Sequence, residues 1–180
     1  MQESASLRGY LGLGANLGDR RAQLERAARR LVDRGVAVTG CSSVYETQPV
    51  GEILDQPPFA NAALRVGAEL DPDALLAVCQ DVERELGRPP GPRHAPRPID
   101  IDVLLLDDRE HSSPRLRVPH PGLLERRFAL IGVLELDLAA RTPAGVALAE
   151  ALARLPVAGQ DVRWAGPPLL GLPTPGSSVG

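Results

Sequence analysis

Apolar positions along this chain fall into segments with either strand or helix spacing. Residues 8–13, RGYLGL, read as a short strand that passes through a glycine-rich turn into a helix from about Asp19, where Leu24, Ala27, Ala28 and Leu31 recur at helical intervals as far as Gly35. Residues 36–47 read as a second strand. Residues 60–70 read as a third, with Leu64, Val66, Ala68 and Leu70 alternating against Arg65 and Glu69. A second helix starts at Asp71-Pro72, a cap followed by a first-turn proline, and runs to Gly87 with Leu75, Cys79, Val82 and Leu86 on one stripe. The proline-rich loop 88–98 then leads into a strand over 99–106. The order β-α-β-β-α-β predicts an α+β chain, a ferredoxin-like sandwich with an antiparallel sheet. A helix over 125–136 and a short one over 147–155 add C-terminal helical elements. From Pro156 onward the sequence is rich in Pro, Gly and Ser and reads as a mobile tail, so the expected division is one domain over 1–155 and a tail over 156–180.

The strand PRPIDIDVLLLDD breaks the ordinary pattern at its mouth. Ile99, Ile101 and Val103 share one face and Asp100 and Asp102 the other, about 6–7 Å apart. Both faces are apolar from Val103 to Leu106, as in a strand covered on both sides. Two unpaired carboxylates entering such a sheet would repel each other and resist desolvation, which calls for a cation. A bare Asp-x-Asp is more often a half-exposed strand with two solvated aspartates, so the neighbouring residues must decide.

Composition narrows the choice. The chain has 180 residues, enough for one ordinary domain, and a net charge of −3, which gives no basic field for nucleic acid. Two cysteines, Cys41 and Cys79, make no disulfide framework and fit a cytoplasmic protein. No stretch reaches membrane-spanning length, and MQESASLRGY has no signal-peptide pattern. No nucleic acid or membrane partner is expected, and the chain is expected to act as a monomer. All 20 basic residues are arginines. That excludes a Walker lysine and a Schiff-base lysine, so any phosphate is held by arginine.

Arg88, Arg93, His94 and Arg97 occupy the loop directly before the two aspartates, and that loop holds no acid. Guanidinium forks match phosphate oxygens, and paired carboxylates hold Mg²⁺ that bridges the same oxygens, so the combination suits phosphoryl transfer from a nucleoside triphosphate. A solvated basic loop paired with Asp107, Asp108 or helix acids fits the same residues. The glycines of GLGANLG are spaced G-x-G-x-x-x-G, one residue too long for a dinucleotide fingerprint, and read as a tight strand-to-helix connection that can also line a site. Of five aromatic residues, Tyr10 and Tyr45 fall in strands and read as core. Phe59 and Phe128 fall in or beside loops, suited either to packing or to a flat ligand. His120, in VPHP, suits a phosphate contact or a structural hydrogen bond equally. No zinc spacing and no hydrolase triad are present.

Five segments, LGLGANLGD, SSVYETQPVG, QPPFANAAL, PRPIDIDVLLL and VPHPGLLERRFAL, together resemble the 6-hydroxymethyl-7,8-dihydropterin pyrophosphokinases of folate biosynthesis, over about Tyr10 to Asp137. The resemblance implies an ATP-dependent diphosphotransferase that moves the terminal diphosphate of ATP to the pterin hydroxymethyl group and releases AMP. ATP and 6-hydroxymethyl-7,8-dihydropterin are then the partners and Mg²⁺, two ions with ATP, the cofactor. Carried over residue by residue, Asp100 and Asp102 match the metal ligands. Arg88 and Arg97 match phosphate-binding arginines, with Arg97 the candidate for stabilising charge during transfer. Thr47, Val50, Phe59, Asn61 and Phe128 match the pterin pocket, the two rings sandwiching the bicycle and Asn61 reading its polar edge. Gln80, Glu83, His120 and Arg126, with Arg88 and Arg97, match the ATP side. The chain departs from the family at His94, where a tryptophan is usual, and at Gln48 and Arg117. The loop 88–98 then reads as a lid that delivers arginines. Two other readings use the same residues: a non-catalytic ferredoxin-like module that binds RNA on its sheet, and a metal-dependent nucleotide hydrolase.

Overall fold

The computed structural model describes residues 6–49, 55–88, 97–107 and 109–175. Val50 and His94, along with most of the expected lid, lie outside the described residues. Strand β1 (Leu7–Ala15) leads into helix α1 (Arg20–Asp33), whose N-cap Asp19 accepts a hydrogen bond from Ala22 N at 3.0 Å. Past its end, Gly35 takes φ +88°, the left-handed conformation that stops a helix at little steric cost. Helix α2 (Pro72–Glu85) repeats the scheme, with Asp71 accepting from Ala74 N at 2.8 Å and Gly87 at φ +89°. Both helices bury their expected stripes: Leu24, Ala27, Ala28 and Leu31 on α1, and Leu75, Cys79 and Val82 on α2. Each such leucine contributes about 1.5–3 kcal/mol by leaving water.

The expected strand over 36–47 is two strands, β2 (Ala37–Cys41) and β3 (Val44–Thr47), both paired with the same edge of β4 (Phe59–Ala68). The break is at Ser42, whose hydroxyl accepts from Ala63 N at 2.8 Å and so replaces a carbonyl of the ladder. With β5 (Asp100–Leu106) the main sheet runs β5-β1-β4-β3, and every pair is antiparallel. This is the ferredoxin-like arrangement expected. Both faces are covered. One cluster joins the sheet to α1 and α2, and a second joins Tyr10, Leu104 and Leu105 to α3 (Arg127–Leu136) and α4 (Leu148–Arg154).

A register shift opposite Tyr10 and Leu11 explains the apolar run in β5. Val103 and Leu106 face the α1–α2 cluster while Leu104 and Leu105 both face α3, so one extra residue reverses the alternation. A small hairpin, β6 (His111–Ser112) with β7 (Arg117–Val118), sits beside β5, and a single 3-10 turn at Leu123–Glu125 precedes α3. The helix expected from Glu125 therefore begins two residues later, after an extended Arg126.

The expected tail needs correction. Within it, β8 (Val162–Gly166) pairs with β3 and becomes the outermost strand of the sheet. Just before β8, Gln160 Oε1 accepts from Arg127 N at 3.0 Å, which satisfies a first-turn amide of α3 that no local side chain caps. Among the described residues, no helix is long and apolar enough to cross a membrane.

Candidate active site

The face of the sheet toward α3 carries almost no side-chain volume in the middle of β1. Gly12 lies opposite Asp102 and Ala63, and Gly14 opposite Asp100 and Asn61. A Cβ at Gly12 would lie 3.2 Å from Leu104 Cδ1, and one at Gly14 3.3 Å from Asn61 Oδ1. Their absence leaves a cavity of about 600 Å³ floored by these glycines. Of the glycines read from sequence as a connection that can line a site, Gly12 and Gly14 lie within β1 and line the cavity, while Gly18, at φ +63°, sits in the bend that follows.

One end of the cavity is charged. Asp100 and Asp102 project into it side by side, as alternation along β5 requires. Arg88 Nη1 bridges Asp100 Oδ1 at 2.7 Å and Glu83 Oε1 at 2.8 Å, and Arg97 Nη1 stands 3.7 Å from Asp100 Oδ1. On the other side, His120 Nε2 and Arg126 Nη1 each lie 3.9 Å from an Asp102 oxygen. Burial, and next the charge of Asp100, push the Asp102 carboxyl well above the ordinary carboxylate range despite the opposing pull of Arg126. His120 Nδ1 accepts from Gly122 N at 2.9 Å, an assignment that leaves the ring proton on the nitrogen facing Asp102. Burial, followed by Arg126, lowers its pKa and favours the neutral ring. Arg97 Nε is buried and finds no acceptor among the described residues.

The opposite end is aromatic and amide-lined. Phe59 opens β4 opposite Thr47, and Phe128 is the second residue of α3; both line the cavity. Asn61 Nδ2 donates to Thr47 Oγ1 at 2.8 Å, which fixes the amide with its oxygen above Gly14.

Two residues assigned to the ATP side sit behind the cavity wall instead. Glu83, 9% exposed, accepts from Ile101 N at 2.7 Å and anchors the start of β5, while burial raises its pKa. Gln80 accepts from Arg115 Nη2 at 3.0 Å, and it is Arg115 that lines the cavity.

A family model described as 7,8-dihydro-6-hydroxymethylpterin-pyrophosphokinase (HPPK) matches residues 10–138. The chain belongs to this family. Curated relatives named 2-amino-4-hydroxy-6-hydroxymethyldihydropteridine pyrophosphokinase include one from Methylorubrum extorquens, 42% identical over 84% of this chain and 96% of that protein, and one from Bacillus subtilis, 41% identical over 71% and 76%. A mitochondrial folate synthesis bifunctional protein of Arabidopsis thaliana is 41% identical over 70% of this chain, which spans only 23% of that longer protein. Among solved structures, Plasmodium falciparum HPPK-DHPS crystallised with pteroate superposes with a TM-score of 0.64 at 14% identity, over 86% of this chain and 44% of that one. That likeness bears on the fold alone.

The HPPK motifs pointed to the cavity but not to what ties its rim together. Asn16, 1% exposed at the end of β1, accepts from Arg97 N at 2.9 Å and donates to Gln56 Oε1 at 2.8 Å and Pro57 O at 3.3 Å. One amide thus joins the segment carrying Arg97 to the segment leading into Phe59. Arg115 and Tyr45, which also line the cavity, were missed as well. Asn16 had a signal, an amide closing the glycine run; Arg115, in a polar hairpin, had none. Asn16→Ala should lower stability by about 1–3 kcal/mol, because it strands buried donors and acceptors on both segments. Urea denaturation measures this, and steady-state kinetics should give a raised KM for both substrates.

Proposed function

We propose that the chain transfers the terminal diphosphate of ATP to the hydroxymethyl oxygen of 6-hydroxymethyl-7,8-dihydropterin, releasing AMP, with Mg²⁺ as cofactor. The observation that carries this reading is one cavity with two unlike ends: paired aspartates ringed by Arg88, Arg97, Arg126 and His120, facing an amide and two phenyl rings. A flat heterocycle fits between the phenylalanines, with Asn61 for its polar edge. A polyphosphate fits at the charged end, where the Nε of Arg97, without an acceptor among the described residues, supplies a waiting donor.

Mg²⁺ suits Asp100 and Asp102 although no cluster of three or more His, Cys, Asp or Glu ligands occurs among the described residues. This ion keeps several waters and takes its remaining ligands from phosphates, so two carboxylates suffice. When bound, it would neutralise phosphate charge and relieve the repulsion within the aspartate pair. A new bond forms between the pterin hydroxyl oxygen and the β-phosphorus, the bond from that phosphorus to the α-phosphate oxygen breaks, and the hydroxyl proton passes to water. The chain's own contribution is alignment of the two substrates, neutralisation of developing charge by arginine, and exclusion of competing water. Arg88, held by Glu83 and Asp100 without ligand, is placed to turn from carboxylate to phosphate. Catalysis in the cytoplasm belongs to the same reading, supported by two buried free thiols, Cys41 and Cys79.

Product analysis tests the reaction. AMP should form from ATP only when the pterin is present, in equal amount with the pterin diphosphate. AMP or ADP formed in its absence would favour a hydrolase. Phe128→Ala should weaken pterin binding about tenfold or more and leave ATP binding within about twofold, since one stacking face is lost and the phosphate contacts remain. Calorimetry with each ligand reads both values, and equal losses would mean that Phe128 is packing only.

A further inference from the structure

Helix α3 approaches the sheet very closely at Gly132. A Cβ on Gly132 would lie 2.9 Å from Ala63 Cβ, so only glycine lets the helix settle at this depth. Phe128 lies about one turn before this point and Glu135 about one turn after it, on the same side of the helix. Glu135 reaches β3. Its Oε1 accepts from Ser43 N at 3.0 Å and Ser43 Oγ at 2.7 Å, and its Oε2 accepts from the Tyr45 hydroxyl at 2.5 Å. All three donors are neutral groups on one short segment.

That segment carries the pocket wall opposite Phe128. Tyr45 lies opposite Asn61 in the sheet, and Asn61 Nδ2 reaches both the Tyr45 carbonyl, at 3.4 Å, and the Thr47 hydroxyl, at 2.8 Å. Burial first, and then the bond to Glu135, push the Tyr45 hydroxyl up to about 12, so it remains a donor throughout the working pH range. Nothing in the transfer reaction itself requires Glu135, which does not line the cavity.

We infer that Glu135 is a positioning residue for the heterocycle: with Gly132 as the fulcrum, it ties α3 to β3 and fixes the gap between Phe128 and the wall that carries Phe59, Asn61 and Thr47. This rests on the functional reading above, in which that gap receives the pterin. Ligands with a flat bicycle depend on the gap, because stacking falls away steeply as the walls separate. Polyphosphate depends on it far less, since Asp100 and Asp102 stand on β5 and Arg88, Arg97 and His120 on the segments flanking it, with Arg126 alone at the start of α3.

The test uses the full-length chain and calorimetry with two probes: an unreactive ATP analogue, and the pterin with and without that analogue. Glu135→Ala should raise the pterin Kd about tenfold or more and leave the ATP-analogue Kd within about twofold. The pterin KM should rise with little change in kcat at saturation. Glu135→Gln should restore pterin binding, because its oxygen can keep both Ser43 bonds while its amide donates to the Tyr45 oxygen. Should Glu135→Ala not fold, Tyr45→Phe and Gly132→Ala carry the test. Tyr45→Phe should show the same selective loss at smaller size. Gly132→Ala should show it too, and should regain pterin affinity when Ala63→Gly is added. Unchanged pterin affinity in the folded variants, or equal loss for both probes, overturns the inference and leaves the functional reading standing. A wild-type chain that binds the ATP analogue but no pterin overturns both.

Discussion

Asp102→Asn should abolish diphosphate transfer and yet make the ligand-free chain more stable at neutral pH. The two effects share a cause. Asp102 enters a covered sheet beside Asp100, and its pKa is raised by burial and by that neighbour. Below about pH 4, the ordinary carboxylate range, the group is neutral in both the folded and the unfolded chain and costs nothing. As pH rises through the elevated folded value, the folded chain must take on a charge it disfavours, and stability is lost. Asparagine keeps the shape without that charge. The melting-temperature advantage of the variant should therefore grow with pH through the elevated value and vanish in acid, where a scan over pH reads it directly. Activity should move the opposite way. An amide is a poor ligand for a hard dication, and loss of one carboxylate removes several kcal/mol of charge stabilisation, lowering kcat/KM by about 10³-fold or more. Mg²⁺ titration should show weakened metal dependence before any change in the fold. A variant with normal turnover, or one less stable than the parent at neutral pH, would remove the aspartate pair from its assigned role.

The aspartate pair was legible in the sequence because alternation along a strand fixes which residues share a face, whatever lies opposite. The helices were legible for a similar local reason: Asp19 and Asp71 cap them, and Gly35 and Gly87 follow their ends. Features that depend on partners distant in the chain were not. Strand β8, VRWAG, has no strong alternation, and Trp164 within it is 65% exposed; it is a strand because β3 offers a free edge. Tyr45 read as core because it falls in a strand, but its hydroxyl meets Glu135, 90 residues away. Gln80 and Glu83 were singled out by motif alone; Gln80 bonds Arg115, and Glu83 bonds Arg88 and the Ile101 amide, partners that no local pattern shows. The extra residue in β5 shows only as an unbroken apolar run, which any doubly covered strand also gives.

Arg97→Ala should slow the transfer step on the order of 10³-fold while weakening ATP binding only modestly. In the ligand-free chain this guanidinium is poorly used. Among the described residues its carboxylate contact is Asp100 at 3.7 Å, longer than a hydrogen bond, and its Nε has no acceptor. Its backbone is held firmly, since Asn16 accepts from its N–H and donates through its own N–H to the Arg97 carbonyl at 3.4 Å. A fixed main chain with an under-committed side chain suits a group whose partner is charge that develops during reaction. Removing an interaction that is stronger in the transition state than in the ground state lowers kcat and leaves affinity nearly intact. Arg88 makes the contrasting case. It already holds two carboxylates at hydrogen-bonding distance, so Arg88→Ala should also disturb Glu83 and Asp100 and lower stability along with activity. Single-turnover kinetics, with enzyme in excess over ATP, isolates the transfer step from product release. A normal transfer step in Arg97→Ala, with ATP affinity lost instead, would make Arg97 a ground-state phosphate ligand and shift the transition-state role to Arg88.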